Sequence, residues 1–219
     1  ATMLCFITTD LAISRELLDK ALRRAVRLSF NRLTVDGDTS TNDMVLVLAG
    51  GAAGNPPVTA EDSGYEAFAA ALEALCVKLA RAMARDGEGA SRLMTVSLRG
   101  AADEEGAEIL AKSVAASSLV KAACFGADAN WGRVLCALGY AGPAFDPDKA
   151  EVHFGSRAGE ILVCRNGAAV PFSEEDAKKI LSEEEIEILI SLGDGPGSAL
   201  VWGCDLTYDY VKINGDYRS

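Results

Sequence analysis

The chain has 219 residues, 49% of them apolar and 24% charged, which is typical of a globular protein that can bury a substantial core. Its 32 acidic residues exceed its 21 basic ones, the formal net charge is −11, and no basic cluster offers a surface for nucleic acid. No run approaches the roughly 18 consecutive apolar residues that a membrane span requires. The sequence therefore predicts a soluble protein and argues against nucleic-acid and membrane partners.

The six cysteines are scattered along the chain without any Cys-x-x-Cys pair. This spacing argues against a zinc site and a disulfide framework, and predicts buried thiols in a reducing compartment. Asp36, Asp38 and Asp43 lie close together, but the closing acid of a calcium loop is missing. We therefore predict no bound metal. The cysteines are Cys5, Cys76, Cys124, Cys136, Cys164 and Cys204.

Apolar patterning predicts strands and helices in the first hundred residues. Residues 3–7 form a continuous apolar run, typical of a buried strand, and Ser14 is a suitable N-cap for the helix that follows. Residues 36–43 form a polar loop that is longer than a turn requires. The predicted elements are, in chain order, a strand at 2–8, a helix at 14–30, a strand at 44–48, a helix at 63–85 and a strand at 93–98.

In the remaining residues the predicted helices come first and strands return later. Asn166-Gly167 is a typical hairpin signal, and the Gly-rich residues 193–197 mark a second turn. There is no Gly-rich dinucleotide fingerprint and no P-loop, so nucleotide binding has no support. The predicted elements are helices at 103–118 and 131–138, strands at 151–154 and 160–165, an acidic helix opening near 173, and strands at 186–190 and 198–204.

These elements predict an α/β fold in which a mixed sheet and helices form layers. Two lobes are expected, dividing near Gly100. Residues 1–100 would form the lobe that carries the first strand, and residues 101–219 would form a C-terminal α/β lobe.

Two residues are candidates for a catalytic role, judged from the sequence alone. His153 is the single histidine, and because general-base catalysis also needs a placed nucleophile, a structural role in its strand is favoured. Thr2 is different, because an N-terminal threonine carries a base in its own α-amine, whose pKa is about 8 when unperturbed. From the residues alone, Thr2 is either such a nucleophile or the first residue of a strand in a trimmed chain.

Five motifs in a fixed order resemble the β chain of one family, the glutamate N-acetyltransferases or ornithine acetyltransferases of the cyclic arginine pathway. The resemblance covers essentially the entire chain. The motifs are Ala-Thr-Met-Leu at 1–4, Asp-Thr-Ser-Thr-Asn-Asp at 38–43, Asp-Gly-Glu-Gly at 86–89, Asn-Trp-Gly-Arg at 130–133, and the segment from Cys204 to Arg218.

The resemblance implies a precursor that cleaves itself between Ala1 and Thr2 into α and β chains, which stay associated as an α2β2 heterotetramer in the cytoplasm. It implies an N-terminal-nucleophile-type site in which Thr2 takes an acetyl group from N-acetylornithine and passes it to glutamate by a ping-pong mechanism. The oxyanion donors would come from a Thr-Gly pair of the α chain. No cofactor is implied, although some family members accept acetyl-CoA as acetyl donor.

The resemblance also implies the substrate-binding residues Thr2, Glu88, Asn214 and Ser219. Glu88 lies between two glycines after a helix, where a carboxylate can meet the ammonium group of an amino acid. Asn214 offers a donor and an acceptor, and Ser219 offers a hydroxyl and the terminal carboxylate. Residues 38–43 and 130–133 receive no chemical role, and we predict that they form hydrogen-bonded turns that support the site.

The presence of Ala1 departs from the family pattern. Two alternative functions also fit the residues. Ala1 precedes Thr2, so the α-amine of Thr2 is part of a peptide bond, and a chain that retains Ala1 is expected to be inactive. An N-terminal-threonine aminopeptidase or amidohydrolase would use the same nucleophile and pass the acyl group to water. A non-catalytic subunit would use Thr2 only structurally.

Overall fold

A computed structural model describes residues 2–193 and 195–216. The strands are β1 (Leu4–Thr9), β2 (Met44–Ala49), β3 (Leu93–Ala101), β4 (Glu151–Ser156), β5 (Gly159–Arg165), β6 (Ala168–Ala169), β7 (Glu185–Ser191) and β8 (Gly197–Cys204). The α-helices are α1 (Arg15–Arg27), α2 (Ser63–Arg85), α3 (Glu104–Ala116), α4 (Ser118–Phe125), α5 (Trp131–Gly139), α6 (Glu174–Leu181) and α7 (Tyr208–Asp216).

The chain divides into two units within α2. The first unit comprises Ala1–Asn31 and Asp38–Ala80, and the second comprises Arg32–Gly37 and Arg81–Ser219. The two lobes predicted from the sequence divide near Gly100, and no glycine or proline marks residues 80 and 81 inside α2.

The first unit contains a parallel pair of strands covered on one face by helices. β1 pairs with β2 in parallel, with Cys5 opposite Val45 and Ile7 opposite Val47. The side chains of Ile7 and Val47 are buried together with small residues of α1 and apolar residues of α2. Ser14 caps α1 as predicted, accepting a hydrogen bond from the Leu17 amide.

The opposite face of this strand pair is exposed. The sequence analysis predicts a buried strand at 2–8, and this is wrong for Leu4 and Phe6, whose exposed fractions are 57% and 63%. Leu46 and Leu48 of β2 are exposed on the same face. Strand residues alternate between the two faces of a sheet, so an uninterrupted apolar run marks a strand that is apolar on both faces.

The second unit is built on a six-stranded mixed sheet in the order β6-β5-β4-β7-β3-β8, in which β3 and β7 are parallel. Alternate residues of the parallel neighbours β3 and β7 point into one core, in which helices α3, α4, α5 and α6 also bury apolar side chains. These strand residues are Met94, Val96 and Leu98 of β3 and Ile186, Ile188 and Ile190 of β7.

The segment Arg32–Gly37 belongs to the second unit because polar contacts attach it there. Arg32 forms ion pairs with Glu104 at 2.7 Å and Glu108 at 3.2 Å. The amide of Thr34 donates to the carbonyl of Trp202 at 3.0 Å.

The predicted α/β class is confirmed, and most predicted elements occupy the predicted residues. Two helices were not predicted. α4 follows α3 after one residue, Ser117, whose hydroxyl accepts from the Val120 amide. α7 occupies the segment after Thr207, whose hydroxyl accepts a hydrogen bond from the Tyr210 amide.

All six cysteines are free, and four of them are buried as predicted. Burial raises the pKa of the Cys124 thiol to about 12 and that of Cys76 to about 11. These thiols are therefore protonated and unreactive near neutral pH. The prediction of buried thiols is wrong for Cys136, which is exposed on α5.

Two classes of feature are missing from the described part of the chain. No helix within residues 2–193 and 195–216 is long and apolar enough to cross a membrane. In those same residues, no group of three or more His, Cys, Asp and Glu side chains is arranged to hold a metal ion.

Candidate active site

Thr2 lies in the first unit, two residues before the start of β1, with its side chain exposed. The next residue, Met3, has both its backbone amide and its backbone carbonyl hydrogen-bonded. The amide of Met3 donates to Asp43 Oδ1 at 2.9 Å, and its carbonyl accepts from the Met44 amide at 2.9 Å. Thr2 therefore precedes a residue whose backbone position is fixed.

The polar loop at 38–43 lies directly beside Thr2. Thr2 Oγ1 is 3.4 Å from Ser40 Oγ, and the Asn42 amide donates to the same Ser40 oxygen at 3.1 Å. Ser40 and Asp43 received no chemical role from the sequence alone. The available signal was the unusual length of the polar loop before a strand that pairs with β1.

A cleft of about 520 Å³ borders this end of the strand pair. Met3, Asp43 and Met44 form part of its lining, and α1 contributes the side chains opposite, among them Leu22 and Val26. The first unit therefore offers space beside the start of β1 as well as an exposed hydroxyl.

Glu88 and Asn214 lie together in the second unit. Glu88 follows the end of α2, and Asn214 is carried by the last helix, α7. Asn214 Nδ2 donates to Glu88 Oε2 at 3.3 Å and to the Tyr210 carbonyl at 3.1 Å. The resemblance implied both residues as substrate contacts, and the structure places them within hydrogen-bonding distance of each other.

The contacts of Asn214 change the prediction that it offers both a donor and an acceptor. Both of its partners, a carboxylate and a carbonyl, are acceptors, so its two N–H groups face the protein. What remains for a ligand is the amide oxygen, beside the carboxylate of Glu88. These oxygens fit a ligand group that donates several hydrogen bonds, such as an ammonium.

Ala1 and Ser219, the other residues implied by the resemblance, lie outside the described residues. Thr2 belongs to the first unit, whereas Glu88 and Asn214 belong to the second.

Gly89 allows α7 to approach the Glu88 loop closely. Its φ is +68°, and an added Cβ would lie 2.6 Å from the Tyr210 amide nitrogen and 2.8 Å from the Asp209 carbonyl carbon. Thr207 Oγ1 donates to the Gly89 carbonyl at 2.6 Å. A residue with a side chain would therefore be strained here and would also collide with the start of α7.

We expect Gly89→Ala to destabilise the protein by about 1–3 kcal/mol, because both the left-handed backbone and the close contact are disturbed. The measurement is the free energy of unfolding from chemical denaturation. Gly139→Ala is the matched control, since nothing lies within 4 Å of a Cβ at Gly139. Equal stability of the two variants would contradict the expectation.

The motif at 130–133 contains the N-cap and the first turn of helix α5, and among the residues that the structure describes none of its hydrogen bonds reaches the candidate site residues. Asn130 is the N-cap of α5, with its side-chain oxygen accepting from the Arg133 amide at 3.1 Å. The Arg133 side chain donates to the Leu119 carbonyl at 2.8 Å. These contacts give the motif a structural role in the packing of α4 and α5.

His153 has a partner within the sheet. Its Nδ1 lies 2.7 Å from Glu160 Oε1, joining the neighbouring strands β4 and β5. This contact agrees with the structural role favoured by the sequence.

A threonine at the head of a strand in a layered α/β fold is consistent with the class of N-terminal-nucleophile-type proteins. A crystal structure from Bacillus halodurans, described as arginine biosynthesis bifunctional protein argJ, matches with a TM-score of 0.93 and 45% identity. The match covers 98% of this chain and 100% of that one. The chain belongs to the ArgJ family, whose model matches residues 1–219.

Curated relatives are similar over the full length of this chain. It is 50% identical to the arginine biosynthesis bifunctional protein ArgJ 1 of Clostridium acetobutylicum and 52% identical to the ArgJ protein of Symbiobacterium thermophilum. In both cases the match covers 100% of this chain and 54% of the relative. The chain therefore spans about half the length of the curated relatives it matches.

Proposed function

We propose that this chain is the β chain of a glutamate N-acetyltransferase, which moves an acetyl group from N2-acetyl-L-ornithine to L-glutamate. Family membership and the names of the relatives, which place those proteins in arginine biosynthesis, support the assignment. The observation that carries it is the exposed Thr2 hydroxyl at the start of β1, next to a backbone held by Asp43 and Met44.

In the proposed reaction, the precursor first cleaves between Ala1 and Thr2, which frees the α-amine of Thr2. This amine accepts the proton of the Thr2 hydroxyl as Oγ1 attacks the acetyl carbonyl of N-acetylornithine. The C–N bond then breaks, the proton passes to the departing ornithine amine, and the acetyl group remains as an ester on Thr2. The glutamate amine attacks this ester in the second half-reaction, and Thr2 Oγ1 recovers its proton.

Each half-reaction forms a tetrahedral oxyanion, whose stabilisation requires donors fixed in place. By the resemblance, these donors belong to a Thr-Gly pair of the α chain. The proposed active site is therefore complete only when both chains are present.

Glu88 and Asn214 are proposed to bind an ammonium group of the amino-acid substrate. In N-acetylornithine this is the δ-ammonium, because the α-nitrogen carries the acetyl group, and in glutamate it is the α-ammonium before it loses a proton and attacks. An ammonium has three donors and a positive charge, and it matches a carboxylate placed beside an amide oxygen. Ser219 is proposed as a further contact. The reaction requires no cofactor, and acetyl-CoA remains open as a second acetyl donor.

The proposed partner is the α chain from the same precursor, in a cytoplasmic α2β2 heterotetramer. The curated relatives are about twice as long as this chain, yet the matched chain of the Bacillus halodurans crystal structure is covered completely. This difference is what cleavage of a longer precursor would produce.

The exposed face of the β1–β2 pair also supports an α-chain partner. Parallel sheets are normally covered on both faces, and a sheet of two strands has little stability of its own. Here five large apolar side chains remain exposed on one face, which is unusual for a free protein surface. They are Leu4, Phe6, Met44, Leu46 and Leu48.

We expect Phe6→Asp in the full precursor to lower the yield of α–β complex at least about 10-fold, because a buried unpaired carboxylate costs several kcal/mol. The measurement is recovery of both chains by affinity purification through a tag on the α chain. Phe6→Leu keeps the position apolar and is the matched control. Equal recovery of complex from the two variants would show that this face does not bind the α chain.

The function itself is tested by supplying the two-chain protein with N-acetylornithine in the presence and absence of glutamate. Continuous formation of ornithine and N-acetylglutamate should occur only when glutamate is present, whereas N-acetylornithine alone should release about one equivalent of ornithine as the acetyl ester forms on Thr2. Release of acetate without glutamate would identify an amidohydrolase instead. A protein that forms no acetyl adduct on Thr2 would be a non-catalytic subunit.

A further inference from the structure

Helix α7 is held against the second unit by a row of polar contacts. Thr207 Oγ1 donates to the Gly89 carbonyl at 2.6 Å, and the Tyr210 hydroxyl donates to Asp36 Oδ2 at 3.0 Å. Asn214, one turn further on, donates to Glu88 at 3.3 Å. Thr207 directly precedes the helix, and Tyr210 and Asn214, four positions apart, lie on one side of α7, so the three contacts follow that side.

Apolar packing contributes little to the position of this helix. None of its residues is buried, and Tyr208 and Val211 are 84% and 67% exposed. An isolated helix of this length is unstable in water, so its placement depends on tertiary contacts. The hydrogen bonds of Thr207, Tyr210 and Asn214 are therefore important for fixing where α7 lies.

Of these contacts, the one made by Tyr210 is distinct from the candidate site. Thr207 and Asn214 both bond to the Glu88-Gly89 loop, whereas the Tyr210 hydroxyl reaches Asp36 in the segment Arg32–Gly37. That segment is attached independently to α3 and β8 through Arg32 and Thr34. Asp36 thus offers α7 an anchor that is separate from the loop carrying Glu88.

We propose that Tyr210 is a positioning residue for amino-acid binding: its bond to Asp36 holds α7 so that the Asn214 oxygen stays beside the Glu88 carboxylate. This inference rests on the proposed function, in which that pair binds the substrate ammonium. Tyr210 acts through Asn214 and does not take part in the chemical step, which belongs to Thr2.

The proposal predicts a specific kinetic signature for Tyr210→Phe in the matured two-chain enzyme. KM for glutamate should rise about 10-fold, the size of effect expected when one hydrogen bond to a charged group is lost. The turnover number at saturating substrate should change less than about twofold, because ground-state binding and transition-state binding are weakened together.

Tyr208→Phe is the matched control, since it removes a phenol oxygen from the same helix. Tyr208 is exposed, and its ring packs edge-on against Phe125 at 5.6 Å between centroids, a contact that phenylalanine retains. Its KM should equal that of the unchanged enzyme. A Tyr210→Phe enzyme with the same KM as Tyr208→Phe would overturn the proposal.

Changing Asp36 tests whether the two side chains act as a pair. Asp36→Ala should raise KM as Tyr210→Phe does, and the double variant should be no worse than either single variant. Asp36→Asn keeps an oxygen acceptor and should restore most of the affinity. Additive effects of the two changes would overturn the assignment of Tyr210 to Asp36.

Hydrogen exchange of the α7 amides supplies a readout that does not depend on acetyl transfer. Exchange should be at least about 5-fold faster in Tyr210→Phe than in Tyr208→Phe, as expected for a helix that opens locally more often. Unchanged exchange would overturn the proposal even if KM rises. If the unchanged enzyme transfers no acetyl group, the proposed function fails. The hydrogen-exchange result still shows whether Tyr210 holds α7 in place.

Discussion

Replacing Thr2 by alanine is expected to lower acetyl transfer by a factor on the order of 10⁴ or more, the scale seen when a covalent nucleophile is removed. The remaining groups can still bind substrate but cannot form the ester. The measurement is the rate of N-acetylglutamate formation, together with mass spectrometry of the β chain after incubation with N-acetylornithine. The unchanged chain should gain an acetyl group on Thr2, and the variant should gain none.

This experiment must separate catalysis from precursor cleavage, because both are proposed to use Thr2. The α chain and a β chain beginning at residue 2 should therefore be produced from separate genes. Thr2→Ser, which retains a hydroxyl and a free amine, is the matched control and should keep measurable activity. Full turnover by the alanine variant would refute the proposed mechanism, as would full activity of a chain that retains Ala1.

Deleting residues 214–219 is expected to reduce kcat/KM at least about 100-fold while leaving the fold intact. The deletion removes the Asn214 amide and Ser219, two of the proposed substrate contacts. Loss of one hydrogen bond to a charged group lowers kcat/KM about 10-fold or more. The fold should survive because no residue of α7 is buried. The measurements are kcat/KM for both substrates and the thermal unfolding midpoint.

Lys212→Ala is the matched control for this deletion, since it truncates an exposed side chain on the same helix. It should retain normal kcat/KM. Normal activity of the shortened chain would exclude a role for the C-terminal segment in binding. A large fall in the unfolding midpoint would instead show that α7 stabilises the second unit.

Much of the fold was predictable because local patterns determine it. The apolar run of β2 and the Ala/Leu-rich stretch of α2 indicate their structures within a short window of sequence. α4 was missed because Ser117 alone separates it from α3, without a glycine or proline. α7 was missed because its residues contact loops far away in sequence and show no apolar periodicity.

The candidate site was less predictable from local pattern, because its contacts join distant residues. Glu88 and Asn214 are 126 positions apart, and only the resemblance to a family linked them beforehand. Ser40 and Asp43 come beside Thr2 and Met3 through the pairing of β1 with β2, which no short window reveals. Tyr210 belongs to the same category, since its partner Asp36 is 174 positions away.

The contacts around Met3 have a consequence for the order in which a newly made chain acquires its structure. Asp43, which holds the Met3 amide, lies 40 positions further along the chain. Closing a loop of that length has an entropic cost that must be met before the hydrogen bond can form. The backbone next to Thr2 therefore becomes fixed only after β2 has been synthesised and has paired with β1, so a shorter nascent chain lacks this organisation.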